Sequence, residues 1–380
     1  MSGYRPRGGR QPDTAAVANL LAHAGAEAAT EPLVLLAAGG IAAGYRLDEF
    51  TPDGSRRVIL GFRASWRRPH RWLTTSAERL ALRTHRAVTA RGAARRLSGE
   101  LAGGRPALVL ADRCRLGHWH LADAADGDVT HCLVVTTAGG DRVCLDDRNL
   151  TPLTVERPVL DAARRGPGRT TTVLAAAVSA DRLAGAVRAG LAECVAGLAA
   201  DESWARWADL LLDERAGKGW PTVFADRRGL VGALLEVWTA VGPAGVGGGH
   251  LRDRFADGLA EAAPLLALPA LEEQVPRWRD VAARWAALAE AALPTDVPEF
   301  DWMRGLALRV RDGVRAGDAG RADAAEAAIQ LRRLRDHHDA ESPFTDRQAR
   351  ALLLDLGQRL RDLAAVERSA VAELAAVVAD

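Results

Sequence analysis

The stretch His131-Cys-Leu-Val-Val-Thr-Thr-Ala-Gly-Gly-Asp-Arg-Val-Cys-Leu-Asp-Asp147 has the pattern of two strands around a tight turn. Its central Ala138-Gly-Gly-Asp141 supplies the positive φ that such turns need. The two ends of a hairpin lie on neighbouring strands, so this spacing predicts that His131 and Asp147 are close together. Because side chains alternate along a strand, Asp146 is expected on the opposite face. An imidazole beside a carboxylate is the arrangement of a general base and the group that orients it.

The composition describes a chain with nearly balanced charge. It has 380 residues, of which 48% are hydrophobic, with 50 basic and 49 acidic side chains and a net charge of +1. This length is enough to bury a sizeable core and favours two domains. Bulk nucleic-acid binding usually needs an excess of positive charge, so we expect no nucleic-acid partner. Lys218 is the single lysine, which is typical of a high-GC genome such as an actinobacterial one.

Cysteine usage and the N-terminus favour a cytoplasmic protein. The chain has four cysteines without CxxC spacing, which does not indicate a disulfide framework. Met1–Asp13 carries arginines but lacks the apolar segment of a signal peptide. We also expect no run of about 18 apolar residues that could span a membrane. No membrane partner and no cofactor are therefore expected.

The patterning along the chain divides it into two regions. Up to about residue 178, helical signals alternate with strands at 57–62, 106–111 and 170–177, and Ser76–Glu100 has the pattern of one amphipathic, arginine-rich helical stretch. From Ser179 onward, period-3.6 patterning is strong and strand signals are absent. We therefore predict a mixed α+β domain over 1–178 and an all-α domain over 179–380.

Three groups of motifs are typical of one known family. They are Gln11–Leu21 with Glu31–Tyr45; Gly104–Asp112 leading into His131 and Asp147; and Lys218-Gly-Trp-Pro221 followed by Gly245-Val-Gly-Gly-Gly-His-Leu-Arg-Asp-Arg-Phe-Ala256. With these motifs, the chain resembles the butirosin biosynthesis protein H family over roughly residues 10–295. The resemblance implies an α+β papain-like (cysteine-peptidase-like) N-terminal domain followed by an all-α C-terminal domain.

The resemblance also implies a chemistry. Butirosin H moves an acyl group from a carrier-protein thioester onto an amine of an aminoglycoside. We therefore expect acyl transfer or cyclisation in natural-product biosynthesis, with His131 as general base and Asp147 as its orienting group. The expected partners are an acyl or peptidyl carrier protein and a small-molecule amine or peptide, with a homodimer left open.

The family's catalytic cysteine has no counterpart at the expected position. Aligning Asn19-Leu-Leu21 with the family places Pro12 where that cysteine stands. Proline suits the first turn of a helix, but it cannot act as a nucleophile. Asp13 and Thr14 are the nearest reactive side chains. Thr14 attacking a substrate is one interpretation, and a helix cap formed by Asp13 or Thr14 is the favoured one.

Cys114 is an alternative nucleophile. It lies in the segment Asp112–His120, and Arg113 and Arg115 on either side would lower its thiol pKa if they lie nearby. The simpler interpretation of Cys114 is a small apolar residue at a strand end. The other three cysteines are likewise predicted to be core residues.

The same segment is weighed as a metal site. Its spacing, Cys-x3-His-x-His, is not a common zinc spacing, so a metal site is not expected. The residues weighed as metal ligands are Cys114, His118, His120 and His131.

The remaining site residues are assigned to substrate binding. The glycine-rich loop Gly245-Val-Gly-Gly-Gly-His250 precedes a predicted helix. Such a loop can hold an anion, such as a phosphopantetheine phosphate, on its N–H groups. A tight turn between helices that needs close backbone approach is the simpler interpretation of such a loop. The predicted substrate-binding residues are Pro12, Asp13, Thr14, Gly39, Gly40, Trp119, Gly247, Gly248 and Gly249.

Two classes of function follow from this pattern. The first is an enzyme that acts on a thioester or amide, either through a relocated nucleophile or by base catalysis from His131 without a covalent intermediate. The second is a catalytically degenerate pseudoenzyme that binds a carrier protein, a precursor or another partner. Loss of the nucleophile argues against ordinary peptidase activity, because the members of a catalytic triad act as a unit.

Overall fold

The computed structural model describes residues 3–49, 56–121, 130–215, 217–242 and 244–379. It is a mixed α/β structure with a sheet in the N-terminal part and helices in the C-terminal part. The strands are Tyr45–Glu49 (β1), Arg56–Leu60 (β2), Arg83–Arg86 (β3), Ala107–Asp112 (β4), Thr130–Gly139 (β5), Arg142–Asp146 (β6), Leu153–Glu156 (β7) and Thr171–Leu174 (β8).

The helices belong to both parts. Those of the N-terminal part are Pro12–His23 (α1), Glu31–Ala37 (α2), Pro69–Arg79 (α3), Ala90–Ala102 (α4), Arg113–Leu116 (α5) and Arg157–Ala163 (α6). Those of the C-terminal part are Ala180–Ala199 (α7), Ser203–Leu210 (α8), Trp220–Val223 (α9), Leu230–Val241 (α10), Arg252–Leu266 (α11), Ala270–Ala292 (α12), Pro298–Arg315 (α13), Gly317–Ala340 (α14) and Asp346–Ala379 (α15).

The main sheet has six strands in the order β3-β8-β4-β5-β6-β7, and all neighbours are antiparallel. Every residue of β4 is buried, because helices cover both faces of the sheet. Leu110 and Val134 face α1, whereas Val109 and Leu133 face α4 and α6. The predicted hairpin is formed by β5 and β6, which are joined by a turn at Gly139 and Gly140, both with positive φ.

Helix α1 is buried from Pro12 to Leu21. Its N-cap is Gln11, whose side chain accepts a hydrogen bond from Thr14 N at 2.7 Å. The prediction that Asp13 or Thr14 caps this helix is therefore wrong. Pro12 is the first residue of the helix, so the cap falls at Gln11, and the Asp13 carboxylate contacts β5 instead.

Helix α2 joins the two parts of the chain. It packs against α7 and α11, and close approach is possible because glycines lie at the contacts. A Cβ on Gly190 of α7 would lie 2.0 Å from the carbonyl oxygen of Leu36, and one on Gly258 of α11 would lie 3.0 Å from that of Pro32. One apolar core runs through α1, α2 and the C-terminal helices. The division into 1–178 and 179–380 stays a prediction, although residue 178 does fall between β8 and α7.

The predicted single helical stretch Ser76–Glu100 is wrong. Helix α3 ends at Arg79, the strand β3 follows, and α4 begins at Ala90. Ala81 adopts a positive φ of 53°, which breaks the helix, and the Thr89 side chain caps α4 by accepting a hydrogen bond from Gly92 N. The arginine-rich segment between the helices pairs with β8 at the edge of the sheet, a tertiary contact that overrides the helical pattern.

The first C-terminal helices include a long apolar window. Within Ala180–Leu210, an 18-residue window has a mean hydropathy of 1.4 and is, by length and composition only, apolar enough to cross a membrane, so the expectation that no such run exists is wrong here. Helix α7 nevertheless packs against α2 and α15, and its apolar face, which includes Leu183, Val187 and Leu191, is buried there. This is the contact pattern of a core helix.

Candidate active site at the start of β5

His131 and Asp147 lie together at the base of the β5–β6 hairpin. His131 pairs with Ala111 of β4, and Asp147 follows the last residue of β6. The distance from His131 Nε2 to Asp147 Oδ2 is 3.1 Å, and both residues are buried. The structure therefore brings together the two residues that the hairpin spacing pairs.

A second histidine contacts the same carboxylate. His118 Nε2 lies 2.7 Å from Asp147 Oδ2, and the indole N–H of Trp119 donates to that oxygen at 2.7 Å. Both residues are buried. In the sequence, His118 has only the pattern of a possible metal ligand. No local sequence pattern links His118 to Asp147. The one available signal was that His118 precedes Trp119, which was predicted to bind substrate.

Helix α5 brings these two residues to the hairpin. The Asp112 carboxylate caps it by accepting hydrogen bonds from Cys114 N at 3.0 Å and Arg115 N at 3.4 Å. Gly117 then ends the helix in the left-handed region, with a φ of 76°. This short helix directly follows β4 and places His118 and Trp119 against Asp147.

The hydrogen bonds fix which ring nitrogen carries the proton. A carboxylate only accepts, so the Nε2 of a neutral His118 or His131 must carry the hydrogen that points to Asp147. Each ring is then left with an unprotonated Nδ1. Both Nδ1 atoms are buried, and neither has a hydrogen-bond partner among the described residues. The Nδ1 of His131, whose pKa is lowered, is thus a basic nitrogen with an unused lone pair.

Burial and charge set the protonation states. Burial lowers the pKa of His131, the Asp147 carboxylate raises it, and Arg113 lowers it again, with a net lowering from the usual value. Burial alone would raise the pKa of Asp147, but the charge of His131 and hydrogen bonds from both imidazoles hold it well below its usual range. At neutral pH, His131 is a neutral base beside an ionised carboxylate.

Asp146 faces away from this site, as strand alternation predicts. Its carboxylate accepts hydrogen bonds from Tyr4 Oη and, at 3.0 Å, from Asn19 Nδ2 of α1. Burial raises the pKa of Asp146 to about 6 despite these bonds. The contact gives Asn19 a structural role that links α1 to the end of β6.

The start of α1 meets the start of β5. Asp13 Oδ1 accepts a hydrogen bond from Cys132 N at 2.9 Å, and its other oxygen pairs with Arg63 at 2.5 Å. The hydroxyl of Thr14 lies 3.1 Å from Glu31 Oε1, and Pro12 is buried. These contacts hold the three residues in the core and leave their predicted role in substrate binding a prediction.

The four cysteines differ in exposure. Cys132 and Cys194 are buried, and burial raises the pKa of Cys194 to about 12 and that of Cys132 well above its ordinary value. Cys144 is half-buried, and burial raises its pKa as well. Cys114 is half-buried in the first turn of α5, close to His118 in sequence. Its role as a nucleophile stays a prediction. Within the described ranges, no three His, Cys, Asp or Glu side chains are arranged to hold a metal ion.

The glycine motifs lie in two different places. A Cβ on Gly248 would lie 2.3 Å from the carbonyl oxygen of Arg10, so the loop that contains Gly247 and Gly249 packs against the segment before α1. Gly39 and Gly40 lie instead at the contact between α2 and α7, beside a separate hollow of about 400 Å³. Substrate contact by these glycines stays a prediction.

A cavity of about 250 Å³ lies beside Asp147. It brings together the segment before α1, the His118–Asp147 site and the helices α11 and α13. Of the residues that line it, only Trp119 and Asp147 were predicted from the sequence as site residues. The others are arginines and a glycine from separate segments, and no motif links them. The cavity is lined by Gly9, Arg10, Trp119, Asp147, Arg148, Arg254, Arg311 and Arg315.

A comparison with known families covers the part of the chain that contains this cluster. Residues 11–148 match the family model described as butirosin biosynthesis protein H, N-terminal. The match begins at the N-cap of α1 and ends just after Asp147, so it contains every residue of the His118–His131–Asp147 cluster. Comparison with curated proteins gives no match. Residues 11–148 are therefore similar to the N-terminal part of the butirosin biosynthesis protein H family, which is named for a biosynthesis-related protein.

Proposed function

We propose that the chain is an acyl-transfer or cyclisation catalyst of papain-like ancestry in natural-product biosynthesis. In this proposal it acts on a carrier-bound thioester or amide with His131 as general base and without a cysteine nucleophile. One observation carries the proposal: His131 Nε2 is held by Asp147, while its buried Nδ1 has no partner among the described residues. A histidine kept neutral with one free nitrogen is suited to taking a proton.

The proposed step transfers an acyl group directly to an amine. Nδ1 of His131 takes a proton from the amine as its nitrogen bonds to the thioester carbonyl carbon. The C–S bond then breaks, and the departing sulfur takes the proton back from the imidazolium. The products are an amide and a free thiol, and His131 returns to its neutral form. No bond to the protein forms at any point.

Asp147 supports this step as a positioning residue. Its carboxylate fixes the tautomer of His131 and stabilises the imidazolium that forms when Nδ1 takes the proton. His118 and Trp119 donate to the same oxygen and hold the carboxylate in place. The cavity beside Asp147 is the proposed entry for the reacting groups.

No covalent intermediate is proposed, because the start of α1 has no cysteine. The resemblance places Pro12 at the position of the family's cysteine, and a proline carries no nucleophilic group. Burial makes the Cys132 thiol hard to ionise. Cys114 is the remaining alternative, and the experiment below separates it from base catalysis.

The test is amide formation from acetyl-N-acetylcysteamine and a primary amine, followed by mass spectrometry. We expect His131→Gln to reduce turnover about a hundredfold or more, because general-base catalysis contributes about 10²–10⁴-fold. The matched control is His337→Gln, an exposed position on α14 that should leave turnover unchanged. Unchanged turnover in His131→Gln would refute the proposal.

Intact-mass measurement addresses the alternative nucleophile. An acyl adduct that disappears in Cys114→Ala would place the chemistry at Cys114 and contradict base catalysis. We expect no adduct, and we expect Cys114→Ala to turn over like the original chain.

A second candidate function is a binding module for a carrier protein, a precursor or another partner. The observation in its favour is that Pro12 cannot attack, while Asp13 and Thr14 are engaged in internal contacts. Tight binding of an acyl-carrier protein, with neither adduct nor amide formation, would favour this function over catalysis.

A further inference from the structure

The cavity beside Asp147 is lined mainly by cations. Five guanidinium groups and one carboxylate line it. Three of the arginines have acidic partners of their own. Those pairs are Arg10 with Asp253 at 3.1 Å, Arg254 with Asp257 at 3.1 Å, and Arg311 with Asp312 at 2.8 Å.

Arg148 is the buried member of this set. Its side chain is 8% exposed, and its Nη1 donates to the carbonyl oxygen of Arg10 at 2.8 Å. Its Nε lies 3.5 Å from Asp147 Oδ1, beyond normal hydrogen-bond length for this pair. Neither Nε nor Nη2 has a hydrogen-bond partner in the described part of the chain. Unpaired donors on a buried guanidinium are costly, so their persistence at a cavity wall indicates a ligand that accepts them.

Arg315 adds a second cation with spare donors. It lies at the last position of α13, and its side chain forms no ion pair with any residue within the described ranges. The Nε of Arg254 is also buried and unpartnered among those residues. The guanidinium carbon of Arg148 lies 5.2 Å from the centroid of the Trp119 ring, a cation–π contact that helps to hold Arg148 at the cavity wall.

We infer that this cavity binds an oxyanion, a phosphate or a carboxylate, through Arg148 and Arg315. The planar guanidinium matches both groups, because its parallel N–H donors pair with two oxygens at once. A volume of about 250 Å³ is slightly below the ~300–1,000 Å³ typical of ligand pockets. The cavity therefore takes the anionic end of a ligand and leaves the rest outside.

This inference deepens the proposed function by naming the substrate class. It rests on that function only for the claim that the bound anion belongs to a reacting substrate. Asp147 lines the cavity and also contacts His131, so the Asp147 carboxylate connects an oxyanion held by Arg148 with the proposed base. Binding itself is measurable without turnover.

The experiment is isothermal titration calorimetry of the full chain in an anion-poor buffer, with inorganic phosphate and succinate as separate probes. We expect saturable binding at one site for at least one probe, weakened by added salt. Arg148→Met and Arg315→Met should each weaken binding about tenfold or more, because each removes charge-assisted hydrogen bonds. Arg309→Met is the matched control, since Arg309 also lies on α13 but pairs with Asp323.

Preference for phosphate or for succinate identifies the source of the oxyanion. No saturable binding of either probe, or binding retained in both arginine variants, overturns the inference. If Arg148→Met fails to fold, Arg315→Met still tests the inference, because Arg315 is only half-buried and its substitution should leave the fold intact. His131→Gln should bind the probe as the original chain does. If the probe binds but His131→Gln leaves turnover unchanged, the proposed function is contradicted. The oxyanion site is then still supported.

Discussion

Two buried arginines each lie beside a carboxylate in this molecule, and they differ in how fully their donors are used. Arg252 of α11 is fully buried and donates to Glu367 through Nε and Nη2. Its remaining donors go to the carbonyl oxygens of His250 at 2.9 Å and Ala42 at 3.0 Å. Arg148 is nearly as buried, yet it makes one hydrogen bond and leaves two nitrogens without partners among the described residues.

The difference separates a structural network from a candidate binding site. Glu367 also accepts from Trp285 Nε1 at 3.0 Å, so the Arg252 network is closed on both sides. A closed buried network holds elements together, and here it ties α11 to α15 and to the segment after α2. An open network beside a cavity keeps donors for something that the protein does not itself supply. The two arginines should therefore respond differently to the same substitution.

The largest effect is expected for Arg252→Met. Removal of one partner leaves Glu367 as an uncompensated buried charge, which should lower the free energy of unfolding by about 3–5 kcal/mol. Urea denaturation at neutral pH measures this loss. The double variant Arg252→Met/Glu367→Leu should recover part of it, because an apolar pair of similar volume leaves no charge behind. A loss below about 1 kcal/mol in the single variant would show that the network is not structural.

The next largest effect is expected on turnover in Asp147→Asn. The amide keeps the size of the side chain, but it no longer stabilises the imidazolium, so we expect turnover to fall about a hundredfold. The pH–rate profile gives a readout that a purely structural role would not change. Because the Asp147 charge raises the pKa of His131, its removal should move the acidic limb of the profile to lower pH. An acidic limb that stays in place would contradict the assignment.

A smaller effect is expected from the neighbouring carboxylate. The folded-state pKa of Asp146, about 6, is above its ordinary value of 3.8. The folded chain therefore holds this proton more tightly than the unfolded chain does, and the associated stability is lost as pH rises from about 4 to above 6. The stability of the original chain minus that of Asp146→Asn should fall by about 1–3 kcal/mol over this range. Urea unfolding at several pH values measures the difference, and a flat or rising difference would be evidence against it.

The smallest effect is expected for Arg148→Met. This variant loses one hydrogen bond to Arg10 and the 3.5 Å ion pair with Asp147. Asp147 keeps its contacts with His118, Trp119 and His131, so its charge stays compensated and stability should fall by only about 1 kcal/mol. Thermal unfolding alongside Arg252→Met gives the direct comparison. Equal losses in the two variants would remove the distinction between a closed and an open network.

Local patterns predicted part of this site. The glycine turn and the alternation of the β5–β6 hairpin are encoded within seventeen consecutive residues, so the His131–Asp147 contact and the opposite orientation of Asp146 followed from the sequence. Most of the C-terminal helices followed from their period. These features depend on neighbours in sequence, which a pattern records.

Contacts between distant segments were missed. The approach of His118 to Asp147 depends on the four-residue helix α5, which is too short to leave a periodic signal. The cavity draws arginines from both halves of the chain, and each one alone looks like a solvated surface residue. The strand β3 exists because β8 offers it an edge, and the arginine-rich segment that forms it carries a helical pattern.

The glycine contact between α2 and α7 limits which substitutions can accumulate during evolution. No side chain fits at position 190 while the backbone of Leu36 keeps its path, since even a methyl group would lie 2.0 Å from that carbonyl oxygen. The sequences of the two halves at this contact must therefore co-evolve. A chimera that joins residues 1–178 to the helices of a relative should fold only where that relative also has glycine opposite this carbonyl.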